Sequence, residues 1–222
     1  MVRTAFLECA KIAEDTFSFA IQRPENFQFK PGQYALIGLL EMQGQNRREF
    51  SIVSSPNRKD RLVFAFRDSE SEFKKAVKNL KPGTELELSG PFGLFVLPNE
   101  RVERHFVFIA GGIGITPFMS MVEYSIEEDL PFSITLITIN SSKERTPFRE
   151  RLVGIQKENS RITVVERIGK PEKGALKQWV SGDIDRIFVA GPPEMVSEVR
   201  QELSDCGVDE NTILAEDFIG YA

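Results

Sequence analysis

The stretch HFVFIAGGIGITP, residues 105–117, decides the fold of half of this 222-residue chain. After His105 it is almost continuously apolar up to Ala110, which predicts a strand buried on both faces, as in a parallel sheet. Two glycines then turn the chain. Thr116 and Pro117 are typical of the cap and the first position of a helix. A strand, a glycine turn and a helix in this order predict a βα unit.

The same pattern continues towards the C-terminus. Helices are predicted to open at Thr146-Pro147 and after Gly191-Pro192-Pro193, the second one stopped by Gly207. Apolar segments predict further strands over 133–140, 161–168, 185–190 and 211–215. Alternating strands and helices of this length predict a doubly wound parallel α/β sheet.

The preceding residues differ in character. Leu62, Phe64 and Phe66 alternate with more polar residues, which predicts a half-buried strand over 61–67, and a similar alternation runs through 84–89. Pro-Gly pairs separate such segments, and an apolar i, i+3, i+4, i+7 pattern over 73–80 predicts one helix. Antiparallel strands in a barrel or sandwich are therefore expected, with the boundary to the α/β part near 98–103.

Composition excludes several classes of protein. The chain has 2 Cys and 1 His, too few for an iron–sulfur cluster on four thiolates or a Cys/His zinc site, so no metal is expected. The net charge of −5 argues against a nucleic-acid partner. No apolar run reaches 18 residues and the first residues do not resemble a signal peptide, so a cytoplasmic protein without a membrane span is expected.

Two glycine-rich turns follow predicted parallel strands. Gly111, Gly112 and Gly114 precede a helix whose N-terminus could bind a pyrophosphate, and Gly191-Pro192 repeats the arrangement. Each has a plainer interpretation, a tight structural turn in the first case and a proline-initiated helix in the second.

A third motif lies in the β-rich half. Arg48, Phe50 and Ser51 combine a phosphate-binding group, an aromatic ring and a hydroxyl. The alternative is an ordinary strand with an exposed arginine and a core phenylalanine.

Together the motifs resemble the ferredoxin–NADP reductase family of flavoprotein reductases. The resemblance covers nearly the whole chain and rests on Pro31-Gly32-Gln33-Tyr34, Arg48-x-Phe50-Ser51, Gly90-Pro91-Phe92-Gly93, Gly111-Gly112-x-Gly114-Ile115-Thr116-Pro117, Gly191-Pro192-Pro193-x-Met195 and Glu216-x-Phe218. It implies a six-stranded antiparallel β-barrel that binds FAD (1–99), followed by a doubly wound α/β domain that binds NAD(P)H (100–222).

The resemblance also implies roles for residues of the flavin half. Arg48 would pair with the flavin pyrophosphate, and Phe50, where relatives usually have Tyr, would lie against the isoalloxazine. Ser51 would lie near flavin N5. Ser71 is a candidate contact on the phosphate side.

In the nucleotide half, the resemblance assigns pyrophosphate binding to Gly111, Gly112 and Gly114, and places Thr116 near the nicotinamide. Further residues implied near the rings are Gly191 and Pro192 beside the nicotinamide, Glu216 as a polar candidate with Ser51, Phe218 over the flavin, and Tyr221 on the adenine side. Ala190 stands where many relatives have Cys.

The implied activity is hydride transfer from NAD(P)H to N5 of FAD, followed by electron transfer to an external acceptor such as ferredoxin, flavodoxin or another redox partner. Two alternatives remain: a flavin-binding relay subunit that is inactive alone, and a nucleotide-binding protein without flavin. The choice between NADH and NADPH also stays open, because Lys143 and Arg145 could bind a 2′-phosphate while Glu144 between them could repel it.

Overall fold

The computed structural model describes residues 1–219 except 43, 45, 99, 171, 173 and 181. Contacts between Cα atoms divide the chain into two compact units. One unit contains Met1–Pro98 and Thr116–Tyr124, and the second contains the rest of the described residues. No helix among the described residues is long and apolar enough to cross a bilayer.

The first unit contains a six-stranded antiparallel sheet in the order β4-β3-β6-β1-β2-β5. Its strands are β1 (Val2–Ala13), β2 (Thr16–Gln22), β3 (Tyr34–Leu39), β4 (Arg47–Ser51), β5 (Arg61–Arg67) and β6 (Glu85–Phe92). The prediction of six antiparallel strands is confirmed. The alternation predicted for 61–67 is present, since Leu62 and Phe64 are fully buried.

The edge strands of this sheet are β4 and β5, and no ladder between these two described strands closes it into a barrel. Single hydrogen bonds link the chain after β4 to β5 instead. Val53 N donates to Val63 O at 2.8 Å, and Val63 N donates to the Ser54 hydroxyl at 3.1 Å. The expected barrel is therefore a curved sheet whose two edges meet through isolated bonds.

One helix, α1 (Glu72–Asn79), lies between β5 and β6 in the chain. Phe73 and Val77 are buried, as the i, i+4 spacing predicts. Both belong to a core cluster rich in phenylalanine. The helix is thus fixed against the sheet by its apolar stripe.

The second unit contains a five-stranded parallel sheet in the order β11-β10-β7-β8-β9. Its strands are β7 (Arg104–Gly111), β8 (Phe132–Asn140), β9 (Ile162–Ile168), β10 (Arg186–Gly191) and β11 (Ile213–Asp217). The helices that alternate with them in the chain are α2 (Thr116–Glu127), α3 (Arg149–Glu158) and α4 (Pro193–Asp205). The order runs from β7 to β9 in one direction and from β10 to β11 in the other, which confirms the predicted doubly wound fold.

Three of the element boundaries that differ from the predictions have a clear local cause. A 3₁₀ helix over Gly112–Ile115 leads directly into α2, so Thr116 is a helical residue and not a cap. A turn in which Thr146 N bonds Lys143 O delays α3, which begins only after Phe148 in a left-handed conformation (φ 58°). A 3₁₀ turn over Glu210–Thr212 delays β11 in the same way.

Candidate functional site

Strand β4 fixes the positions of Arg48, Phe50 and Ser51. It pairs with β3 in the register Arg48–Ile37, Phe50–Ala35 and Ser51–Tyr34. Arg48 is half-buried, and its guanidinium carbon lies 5.6 Å from the centroid of the Phe73 ring on α1. Ser51 is buried. The pairing places the arginine of this motif next to the start of α1.

Phe50 is a member of the hydrophobic core. Its ring is 8% exposed and meets Phe19 edge to face, with 5.2 Å between centroids. It also packs against Phe64, Phe66 and Phe73 at 6.0–6.4 Å. This burial matches the core-phenylalanine alternative, and contact between Phe50 and a flavin stays a prediction.

The start of α1 brings a second cation towards Arg48. Ser71 is buried, directly precedes the helix and makes no side-chain cap hydrogen bond. Burial lowers the pKa of Lys74; Asp68 opposes this shift, and the positive charge of Arg48 adds to it. Two mutually repelling cations beside the free N–H groups of a helix start form a donor set that suits a phosphate.

The pyrophosphate of FAD fits this donor set. Arg48, Lys74 and the N-terminus of α1 would hold it, with Ser71 beside them. Sequence reasoning missed Lys74. Its position three residues after Ser71, in the first turn of a helix, is the signal that could have found it.

The glycines of the second unit are required by packing between the two turns. A Cβ on Gly114 would lie 2.3 Å from Ala190 O, and a Cβ on Gly191 would lie 3.0 Å from Gly111 Cα. A Cβ on Gly111 would meet Met195 Cε at 2.4 Å. The first motif is therefore a tight structural turn and the second leads into a helix that begins with a proline, as the plainer interpretations predict. Both turns also meet at the carboxyl edge of the sheet, where nucleotides bind in this fold class.

The first turn, at Gly111 and Gly112, leads directly into a helix. Gly112 has a φ of 53°, which favours glycine, and the 3₁₀ helix that it opens runs into α2. Thr116 is buried. Pro192 precedes α4 and is exposed. Both turns thus present helix N-termini, which suit the phosphates of a nucleotide.

Strand β11 brings the tail residues next to the second turn. Glu216 is the register partner of Ala190, and the backbone N–H of Phe218 donates to Gly191 O at 2.8 Å. Both side chains are half-buried. The sequence-predicted residues of this unit therefore gather at the carboxyl ends of β7, β10 and β11, whereas Tyr221 lies outside the described residues.

Comparison with known families agrees with this division of roles. Residues 6–97 match the oxidoreductase FAD-binding domain, and residues 108–201 match the oxidoreductase NAD-binding domain. The chain belongs to the ferredoxin reductase-like family. The glycine turns of this reductase-like chain lie in the NAD-binding match, and Arg48, Ser71 and Lys74 lie in the FAD-binding match.

Among curated relatives, a flavohemoprotein of Oceanobacillus iheyensis is 25% identical, over 94% of this chain and 56% of its own length. The 2-halobenzoate 1,2-dioxygenase electron transfer component of Burkholderia cepacia is 30% identical, over 85% of this chain and 58% of its own. This reductase-like chain thus spans little more than half of either relative.

A solved structure has the same fold. The ferredoxin–NADP⁺ reductase of Plasmodium falciparum superposes with a TM-score of 0.82 at 19% identity, covering 97% of this chain and 95% of that one. The likeness extends over both units of the ferredoxin reductase-like chain. It confirms the fold that the motifs predicted.

Proposed function

We propose that this chain oxidises NADH or NADPH with the help of bound FAD and delivers the electrons to an acceptor outside the chain. The observation that carries the proposal is the order of an FAD-binding and an NAD-binding domain in one chain. We propose 1–99 and 100–222 as the limits of these two domains. FAD, when bound, accepts a hydride equivalent and releases electrons singly.

The residues of the first unit would bind and orient the flavin. Arg48 and Lys74 would neutralise its pyrophosphate, helped by the helix start after Ser71. The buried Ser51 would donate a hydrogen bond to the reacting edge of the ring system. Phe50 would support this edge from the core.

The residues of the second unit would bind the nucleotide and control access. The N–H groups over 112–115 would hold its pyrophosphate. Glu216 and Phe218, fixed beside the Gly191 turn by β11, would border the nicotinamide. The half-buried Phe218 would exclude water from the nicotinamide site until the nucleotide binds.

The class of electron acceptor is inferred from the composition of the chain and from the names of its relatives. Two cysteines are too few for an iron–sulfur cluster on four thiolates, so the electrons would leave this chain for another molecule. The Burkholderia cepacia relative is named as an electron transfer component. An external redox protein is therefore the proposed class of partner.

The test is a spectrum of the purified protein after incubation with FAD, followed by anaerobic titration with NADH and NADPH. A bound-flavin spectrum that bleaches on addition of either nucleotide is expected. Protein that stays colourless after reconstitution would contradict the proposal.

A relay subunit of a larger complex is the second candidate, favoured by the fraction of the relatives that this chain spans, 56% and 58%. Oxidation of NADH or NADPH by the isolated chain, with ferricyanide as the acceptor, distinguishes the self-sufficient reductase from the relay subunit. Rapid NADH or NADPH oxidation by the isolated chain supports a self-sufficient reductase. Flavin binding without turnover supports the relay subunit.

A further inference from the structure

An arginine near the carboxyl ends of β8 and β9 already forms an ion pair. Arg149, the first residue of α3, reaches Glu166 on β9 with two hydrogen bonds. They join Nε to Oε1 at 2.6 Å and Nη2 to Oε2 at 3.0 Å. Two parallel bonds of this kind form the strongest pairing geometry that an arginine and a carboxylate have.

This pair lies where the ribose of a nucleotide is expected. In a doubly wound sheet the pyrophosphate lies at the turn after the first strand, here β7, and the ribose 2′ position lies near the end of the next strand, here β8. Thr138 lies on β8, three residues before the start of the loop that follows this strand, and Glu166 is its register partner on β9. Glu166 therefore lies close to the end of β8.

Polar atoms in the same region support a ligand there. Thr138 Oγ1 and Asn140 Oδ1 are two of several buried atoms in the described side chains that have no hydrogen-bond partner. The residues are 1% and 6% exposed. Buried polar atoms normally have hydrogen-bond partners, so a ligand group or an ordered water is expected beside these two.

The other cations of the region also have neighbours: Lys143 lies near carboxylates, and Arg145 lies near a hydroxyl. The Arg149 guanidinium holds the pKa of Glu166 below its usual value, and Lys143 adds to this. The pKa of Glu144 is likewise lowered, first by its own backbone N–H and the Ser142 hydroxyl, then by Lys143 and Arg149. Arg145 donates to the Ser141 hydroxyl at 3.4 Å.

Resting on the proposed function, we propose that the site selects NADH over NADPH and that Glu166 determines this preference. Glu166 holds Arg149 in a bidentate pair and withholds it from a 2′-phosphate. An NADPH phosphate that took Arg149 would leave the Glu166 carboxylate unpaired beside a group of like charge. The ribose of NADH carries only hydroxyls there and leaves the pair intact.

Two small ligands isolate the 2′-phosphate: adenosine 2′,5′-bisphosphate and 5′-AMP, titrated by calorimetry into the FAD-loaded protein. We expect the wild type to bind AMP at least as tightly as the bisphosphate. Glu166→Gln is expected to bind the bisphosphate about tenfold tighter or more, as a hydrogen bond to a charged group contributes. Its AMP affinity is expected to stay within about twofold, which also reports intact folding.

Glu150→Gln is the matched control, because it removes an exposed carboxylate of α3 without releasing Arg149. The double variant Glu166→Gln, Arg149→Ala should lose the gain in bisphosphate affinity, because the released arginine is absent. If the wild type bound the bisphosphate more tightly than AMP, or if Glu150→Gln gained as much bisphosphate affinity as Glu166→Gln, this inference would be overturned. Either result would leave the proposed function standing. Failure of the wild type to bind AMP, the bisphosphate, NADH and NADPH would contradict both the inference and the proposed function.

Discussion

The Arg48 guanidinium lies over the ring of Phe73, which is itself fully buried at the start of α1. This contact joins the start of β4 to a helix more than twenty residues further along the chain. A cation held against an aromatic face keeps its charge and loses conformational freedom. Arg48 is therefore held in place before any ligand binds.

Replacement of Arg48 by alanine is expected to weaken FAD binding by about 10- to 100-fold, because a charge-assisted bond to the pyrophosphate is lost. Flavin fluorescence on titration of the apoprotein measures this. Arg47→Ala is the control, since Arg47 is exposed and pairs with Glu87 at 2.7 Å. An equal loss in both variants would contradict the assigned role of Arg48.

Alanine at Gly114 is expected to destabilise the second unit by about 1–3 kcal/mol or more, because the new methyl group would overlap Ala190 O. Gly154→Ala is the control: a Cβ there meets nothing within 4 Å, and the residue lies inside α3. That variant should gain up to about 1 kcal/mol from helix propensity. Urea unfolding of both variants compares them, and similar stabilities would show that the two turns can separate at no cost.

Alanine at Phe50 is expected to lower the free energy of unfolding by about 3–5 kcal/mol, the usual cost of removing a buried phenylalanine ring. Leu94→Ala removes a side chain of a residue that is 92% exposed and should change stability by less than about 0.5 kcal/mol. Thermal and urea unfolding of the apoprotein measure both. A small effect for Phe50→Ala would contradict the contribution assigned to its ring in the hydrophobic core.

The carboxyl group of Asp185 is expected to make the folding stability depend on pH. The backbone N–H of His105 at 2.7 Å, and then Arg104 at 2.8 Å, hold the pKa of this carboxyl below its usual value. Its folded-state pKa is thus lower than the unfolded value of about 3.9. The interaction stabilises the protein above about pH 4 and is lost as the pH falls through the folded-state pKa.

Asp185→Asn is therefore expected to be about 0.5–1 kcal/mol less stable than the wild type near pH 7, and this difference is expected to shrink as the pH falls below about 4. Urea unfolding across this range tests it. A difference that does not depend on pH would show that the charge of Asp185 contributes nothing.

Much of the fold could be predicted because its signals are local. The alternation through Leu62 and Phe64 predicts a half-buried strand, and the apolar run before Gly111 predicts a buried one, whatever the rest of the chain does. Boundaries were less accurate. The turn before Phe148 depends on hydrogen bonds among loop residues that no periodic pattern announces.

The candidate site was predictable only as a set of motifs. Their order in the sequence indicated a flavin half and a nucleotide half, and both family comparisons confirm it. Lys74 was missed because solvated lysines in helices are common, and only its proximity to Arg48 distinguishes it.

The sequence by itself determined the two halves, their strand types and the presence of glycine at two turns, since periodicity and backbone freedom are properties of short segments. The tertiary structure decided which distant groups meet. It buried Phe50 among other phenylalanines, packed the Gly114 turn on Ala190 and paired Arg149 with Glu166. These contacts depend on strand order and register, which are set by the burial of whole sheet faces and not by any local stretch of residues.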